Sequence, residues 1–244
     1  MARIGRMYHP APFRFCLLIL RPTTLTKEDI AMAEAGIFEI MYSMRAMRRL
    51  KPDPIPEETL KKIVDAGIHA PSGGNLQDWA FVLIRDAELK RFIRDQYWGM
   101  WQKLQGSRGI PTNLPPARMR MYQAVAHLAE HLHEVPVLLL ACARKENPPF
   151  AQFGYERASV ATVHGSIYPA VQNIMLACRA LGIGTVITTI HCCFEEELKQ
   201  KLGIPDEMEV SALLPLGYPQ DHFGPTKRQP VETVIHWDRW QPKQ

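Results

Sequence analysis

The sequence is short of several features that would have declared a function at once. No apolar stretch approaches the roughly 20 residues needed to cross a bilayer. An early run, FCLLIL at 15–20, stops at Arg21 and Pro22. It follows Arg3, Arg6 and Arg14 in faint imitation of a signal peptide, but no small-residue cleavage site comes after it. The five cysteines (Cys16, Cys142, Cys178, Cys192 and Cys193) are odd in number and contain no C-x-x-C pair, which argues against a disulfide framework and a thioredoxin-type motif. Adjacent Cys192 and Cys193 cannot easily form an unstrained bridge. The expected compartment is therefore the reducing cytoplasm. The net charge of +4 is spread along the chain, so the compact basic footprint of a nucleic-acid binder is missing, and neither nucleic acid nor membrane is an expected partner. No Walker loop occurs. Gly182-x-Gly184 lacks the third glycine of a dinucleotide fingerprint and lies between a helix and a strand, the reverse of the required order. A bound phosphate must then rely mainly on arginine and lysine side chains, which pair well with anions.

What is present is the material of one domain. At 244 residues, with 46% hydrophobic and 22% charged, the chain can close one sizeable core. Residues 1–37 are expected to be a flexible extension, with Met32 or Met41 as alternative functional starts, and 38–244 the folded domain. After Pro54 and Pro56, the spacing of Leu60, Ile63, Val64, Gly67 and Ile68 predicts a helix that ends before Pro71. PSGGN at 71–75 reads as a loop, and WAFVLI at 79–84 as a buried strand. Helices are expected over about 87–104 and 116–133, joined by the Gly/Pro-rich stretch 106–116. Continuous apolar sequence at 135–143 predicts a strand covered on both faces. A long helix rich in small residues, about 158–181, carries Pro169 as a kink candidate. It breaks at Gly182-Ile183-Gly184 into a strand over 185–189, followed by a short helix at 194–202, a strand at 209–217 and an irregular Pro-rich arm. The class is α+β.

One motif invites a metal. His127, Glu130 and His131 match the H-x-x-E-H pattern of inverted zinc peptidases, with both histidines on one helical face. A five-residue pattern recurs by chance, and His133 and Glu134 extend it into a polar stripe, so surface histidines are the better reading and no metal is expected. Three other segments share a purpose: the basic run Met44-Arg45-Ala46-Met47-Arg48-Arg49, the loop from Pro71 through Ser72, Gly73 and Asn75 to Gln77, and the turn Gly182-Ile183-Gly184-Thr185, where glycine permits close approach of a flat ligand. Taken singly, a basic cluster is ordinarily a solvated face and a Pro-Gly loop a plain helix stop.

In order and spacing, these segments together resemble the nitroreductase family. Its pattern is an R-R-S-x-R run, an x-P-x-P helix start and A-P-S-S-x-N-x-Q-P-W. Here the corresponding stretches are MRAMR (44–48), KPDPIPEETLKKIVDAGIHA (51–70) and PSGGNLQDW (71–79). AVQNIMLACRALGIGT (170–185), KLGIPDEMEVSALLPLGYP (201–219) and KRQPVETVIHWDRW (227–240) extend the likeness over about 38–240. The resemblance implies a three-layer fold, with a central mixed but mainly antiparallel sheet flanked by helices, a C-terminal arm embracing a dimer partner, and each FMN between subunits. It implies that Arg45 and Arg228, with Lys227, meet the FMN phosphate, beside Ala46 at the family's serine position. Arg48 would lie by N1 and O2 of the ring. Asn75, in the Ser72–Gly73–Gln77 loop, would hydrogen-bond the pyrimidine edge, and backbone groups of Ile183, Gly184 and Thr185 would approach N5 and O4.

Chemistry supplies a reason for the arginine. Two-electron reduction leaves negative charge near N1, and a cation at about 4 Å in an effective dielectric near 20 gains at most about 4 kcal/mol, or about 90 mV. The implied activity is a ping-pong cycle in which NAD(P)H delivers hydride to N5 and an oxidised acceptor, a nitroaromatic or quinone, takes the same place. No side chain need act as a nucleophile. The alternatives are a flavin-binding or storage module without turnover and a zinc hydrolase using His127, Glu130 and His131. Met44 and Ala46 depart from the first run, and Gly73 and Asp78 from the loop, where serine and proline are usual. These changes bear on FMN affinity and on the shape of the substrate pocket.

Overall fold

A computed structural model describes residues 36–108, 114–145 and 153–241. Nearly all of the expected extension 1–37, with Cys16 and the run at 15–20, lies outside the described residues, as does 109–113 of the expected 106–116 connection.

The sheet is organised around two long apolar strands. β2 (Val137–Arg144) and β4 (Met208–Gly217) are buried over almost their whole length. They pair antiparallel at its centre, with β1 (Trp79–Ile84) on one edge and β3 (Gly184–Thr185) on the other, in the order β1-β2-β4-β3. All three pairings are antiparallel. Because successive side chains of a strand point to opposite faces, the apolar run of β2 serves two cores. Leu138, Leu140 and Cys142 join one cluster, while Val137, Leu139, Ala141 and Ala143 join the other. The first face is covered by α3 (Ala87–Arg108), α4 (Pro116–His131) and α6 (Glu195–Leu202), through Ile93, Tyr97, Leu128 and Leu198. The second is covered by α2 (Glu57–Ile68) and α5 (Glu156–Ala180), through Leu60, Ile63, Ile167 and Ile174. Each such buried side chain contributes about 1.5–3 kcal/mol, so helix, sheet and helix form three layers. A short helix, α1 (Ile37–Ser43), buries none of its residues.

Several expectations are corrected. β1 is not a buried strand: as an edge strand it leaves Ala80 and Leu83 exposed. α3 continues four residues past the expected end, to Arg108. The strand expected at 185–189 shrinks to Gly184–Thr185 plus one bridge, Thr188 to Leu213. The register would put Val186 opposite Pro215, and proline has no N–H to give to a ladder. The chain leaves the sheet there and coils into a 3₁₀ turn, Ile190–Phe194. Among the described residues after Gly217 the backbone is irregular apart from a bridge between Pro219 and Leu50 and one turn, Val231–Thr233.

Candidate functional site

The basic run owes its position to three neighbours. Met47 and Leu50 are buried, which pulls the backbone onto the core and leaves Arg45 and Ala46 exposed and Arg48 and Arg49 half-buried. On one side the Met47 N–H donates to Thr185 O at 2.9 Å. On the other, the run lies antiparallel to the tail beyond β4. Lys51 N–H donates to Tyr218 O (2.7 Å), Gln220 N–H to Arg49 O (3.0 Å) and Thr226 N–H to Tyr42 O (2.9 Å). Lys227 and Arg228 follow directly and are exposed; Arg228 Nη1 donates to Lys227 O at 2.9 Å. Arg179 pins the assembly from α5. Its Nε donates to Ser43 Oγ at 2.9 Å, and its guanidinium lies 4.5 Å from the centre of the Phe223 ring.

Glycine at 184 answers to the protein itself. A Cβ there would lie 2.8 Å from Leu50 Cδ2, 3.0 Å from Met47 Cβ and 3.2 Å from Pro219 Cβ. The bare backbone lets the run and the tail close over β3. Ile183, Gly184 and Thr185 are all buried under this closure, so the turn and the two basic segments form one locality.

Its electrostatics are one-sided. Burial pushes the Arg48 pKa down, and Tyr97 acts in the opposite sense. Among the described residues no carboxylate pairs with Arg45, Arg48, Arg49, Lys227 or Arg228. A desolvated cation without a partner is costly. Thr185 Oγ1 is also buried without a hydrogen-bond partner. Beneath the run, the Tyr97 hydroxyl lies 2.6 Å from Thr188 Oγ1. Sequence reasoning passed over Tyr97 and Arg179, which look like ordinary core and helix-end residues.

The loop at 72–77 stands elsewhere. Gly73 N–H donates to Ser166 Oγ (3.2 Å) and Gln77 N–H to Ser72 Oγ (2.9 Å), while Gln77 Nε2 reaches Asn75 O at 3.4 Å. A Cβ on Gly73, where serine is usual, would sit 3.3 Å from Thr162 Cγ2, a close contact that asks that side chain to give by a few tenths of an ångström. Asp78, in the proline position, faces Arg144 Nε at 3.8 Å. Gly74, Asn75 and Gln77 all have left-handed backbone, with φ of 58°, 55° and 54°. For asparagine and glutamine that conformation is strained, and such strain gathers at functional sites.

This loop is far from the basic locality. It rests on α5 at Ser166, whereas the run is tied to α5 at Arg179, about 20 Å along the helix. The strands agree: Trp79 pairs with Ala143 and Arg144 with Met208 at one end of β4, while Gly184 pairs with Gly217 at the other, about 30 Å away. The structure therefore gathers Arg45, Ala46, Arg48, Ile183, Gly184, Thr185, Lys227 and Arg228, and holds Ser72, Gly73, Asn75 and Gln77 apart from them.

The His127 and His131 rings lie 4.4 Å apart, and His131 Nδ1 is 2.9 Å from Glu134 Oε1. Among the described residues no group of three ligating side chains converges.

Comparisons with known proteins show the family and the fold. Residues 42–218 match the family model described as Nitroreductase family. The chain is 32% identical over 199 residues to an NADH dehydrogenase of Thermus thermophilus, covering 79% of this chain and 91% of that protein. It is 28% identical to iodotyrosine deiodinase 1 of Rattus norvegicus, covering 83% of this chain and 68% of that one. Its fold is shared with the crystal structure of an oxidised iodotyrosine deiodinase bound to FMN and 3-iodo-L-tyrosine, at a TM-score of 0.65 and 24% identity, over 84% of this chain and all of that one.

Proposed function

The chain belongs to the nitroreductase family of oxidoreductases, and we propose that it works as an FMN-dependent homodimer passing hydride from NADH or NADPH to an oxidised small acceptor. The observation that carries this reading is Arg48, a half-buried cation without a carboxylate. Beside it are an orphaned buried hydroxyl on Thr185 and three exposed cations, Arg45, Lys227 and Arg228. That donor set fits an anionic ligand with a hydrogen-bonding ring edge, as FMN is.

When bound, the flavin ring supplies the hydride-accepting N5, and the chain's residues supply position and charge. Arg45, Lys227 and Arg228 would hold the phosphate, each hydrogen bond to a charged group contributing about 1.5–3 kcal/mol. Arg48 would stand by N1 and O2, and the backbone of Ile183, Gly184 and Thr185 by N5 and O4. Asn75 reads the pyrimidine edge, and Ser72, Gly73 and Gln77 shape its loop. Given the separation of that loop from Arg48, the contact comes from a second copy of the chain. Two features favour such a copy. α1 presents Ile37, Phe38, Met41 and Tyr42 to solvent, and the tail exposes Val234, Trp237 and Trp240. In a ping-pong cycle the oxidised nicotinamide would leave before the acceptor binds, and the acceptor class would be nitroaromatics or quinones. Among the described residues no helix is long and apolar enough to cross a membrane.

The test is the visible spectrum of the purified protein, reconstituted with FMN if needed, before and after anaerobic NADPH or NADH. The reading expects oxidised-flavin absorption that bleaches and returns with a nitroaromatic, a quinone or 3-iodotyrosine. A protein that takes up no FMN contradicts it. Flavin that binds but never bleaches leaves a storage module instead.

A further inference from the structure

Tyr97 lies within α3, 2% exposed, in the same buried cluster as Met47 and Val186. A phenylalanine would fill that space equally well, so the hydroxyl needs its own reason. It lies 2.6 Å from Thr188 Oγ1, and Thr188 is itself fixed. Its N–H donates to Leu213 O (3.0 Å), and its carbonyl accepts the Leu213 N–H (3.1 Å). The phenol oxygen is thus held at one point beneath the run whose Met47 N–H is tied to Thr185. Burial drives the Tyr97 pKa up, while the Thr188 hydrogen bond and, after it, the Arg48 guanidinium draw it down.

We propose that Tyr97 is the positioning residue for Arg48, its hydroxyl anchored on Thr188 and its oxygen lone pairs presented to the guanidinium. The proposal rests on the FMN reading above. When the Tyr97 O–H donates to Thr188 Oγ1, the negative end of its dipole faces Arg48, and the hydrogen bond to threonine strengthens that dipole. The arrangement offsets part of the cost of a half-buried cation without placing a carboxylate beside it. A carboxylate would neutralise the charge; a phenol leaves it available to the ligand. A cation held in this way favours FMN most when the ring carries negative charge, so the hydroxyl affects the reduced state of the cofactor more than the oxidised one.

The experiment measures FMN affinity in the oxidised and chemically reduced states, with the midpoint potential, for the full-length wild type, Tyr97→Phe, Arg48→Met and the double variant. Tyr97→Phe is expected to weaken reduced-state binding about tenfold, leave oxidised-state binding within about twofold, and lower the potential accordingly. In the Arg48→Met background the same change is expected to add nothing, the signature of action through Arg48. Thr188→Val should move the potential in the same direction by less, and it serves as the second variant if Tyr97→Phe folds poorly. Unchanged potential and affinities in Tyr97→Phe overturn the proposal, as does an undiminished loss in the Arg48→Met background. A wild type that takes up no FMN is seen before any substitution is made, and it overturns the cofactor reading itself.

Discussion

Around Arg179, near the C-terminal end of α5, segments distant in sequence lock together: the run at 44–51, the turn at 183–185 and the tail at 218–228. Around Ser166, further back on the same helix, a single loop leans on α5 and is shaped largely by its own hydrogen bonds. The first place has unpaired cations and an orphaned hydroxyl. The second has left-handed asparagine and glutamine and an arginine already answered by Asp78. One half-site is assembled in cis from long-range contacts, and the other is a local device held in a costly conformation. Neither holds all the groups that the proposed flavin site needs. Two copies of the chain, each lending its loop to the other's cations, would make two.

Substitutions that act on one half and spare the other should separate them. The largest effect is expected from Arg48→Met, which keeps the apolar stem and removes the charge. FMN affinity should fall about tenfold to a hundredfold and the midpoint potential should drop, read by flavin titration. Retained affinity with an unchanged potential would remove Arg48 from the flavin edge. Next is Gly184→Ala. Its methyl would meet Leu50, Met47 and Pro219, and overpacking of that kind costs about 1–3 kcal/mol. Urea denaturation should show the loss, accompanied by weaker FMN binding as the run is displaced. Gly73→Ala, at the loop, meets only a Thr162 methyl at 3.3 Å and should cost less.

A still smaller change is expected from a group outside both halves. His191 is fully buried, with Nε2 donating to Val210 O at 2.6 Å, and burial lowers its pKa. The folded-state value therefore lies below the unfolded one, near 6.5. The neutral ring costs nothing extra above that pH, and stability is lost as pH falls below it, because the unfolded chain takes the proton more readily. Denaturation midpoints followed from pH 7 to pH 5 should fall less steeply in His191→Gln than in the wild type, with the flavin potential unaffected. Equal slopes would show that His191 does not contribute.

Much of this architecture was legible from periodicity. The spacing of Leu60, Ile63 and Gly67 marks α2, and the unbroken apolar run from Val137 marks a strand covered on both faces. Periodicity could not show which strand lies at an edge, and β1 was for that reason expected to be buried. Nor could it show that Pro215 would stand opposite Val186 and cut β3 short, because pairing partners are not written in local sequence. The basic run and the glycine turn were visible as motifs. The purpose of Gly184 was not, since the groups it admits, Leu50 and Pro219, are remote along the chain. Tyr97 reads as a core aromatic until its hydroxyl is seen beside Thr188. The strain at Asn75 and Gln77 is a backbone property with no residue signature, and a single sequence does not say which copy of the chain each half-site serves.

The central claim is that Arg48 of one copy and Asn75 of another act on the same flavin, and mixing two defective proteins tests it most directly. Arg48→Met and Asn75→Ala homodimers each lack one component in both sites, and each should show little NAD(P)H-dependent flavin reduction. Unfolded and refolded together, they form heterodimers in which one site has both substitutions and the other has neither. The account predicts that flavin reduction returns in the mixture, with the wild-type potential in the restored sites. A mixture no more active than its two parents, with heterodimers demonstrably present, would contradict it.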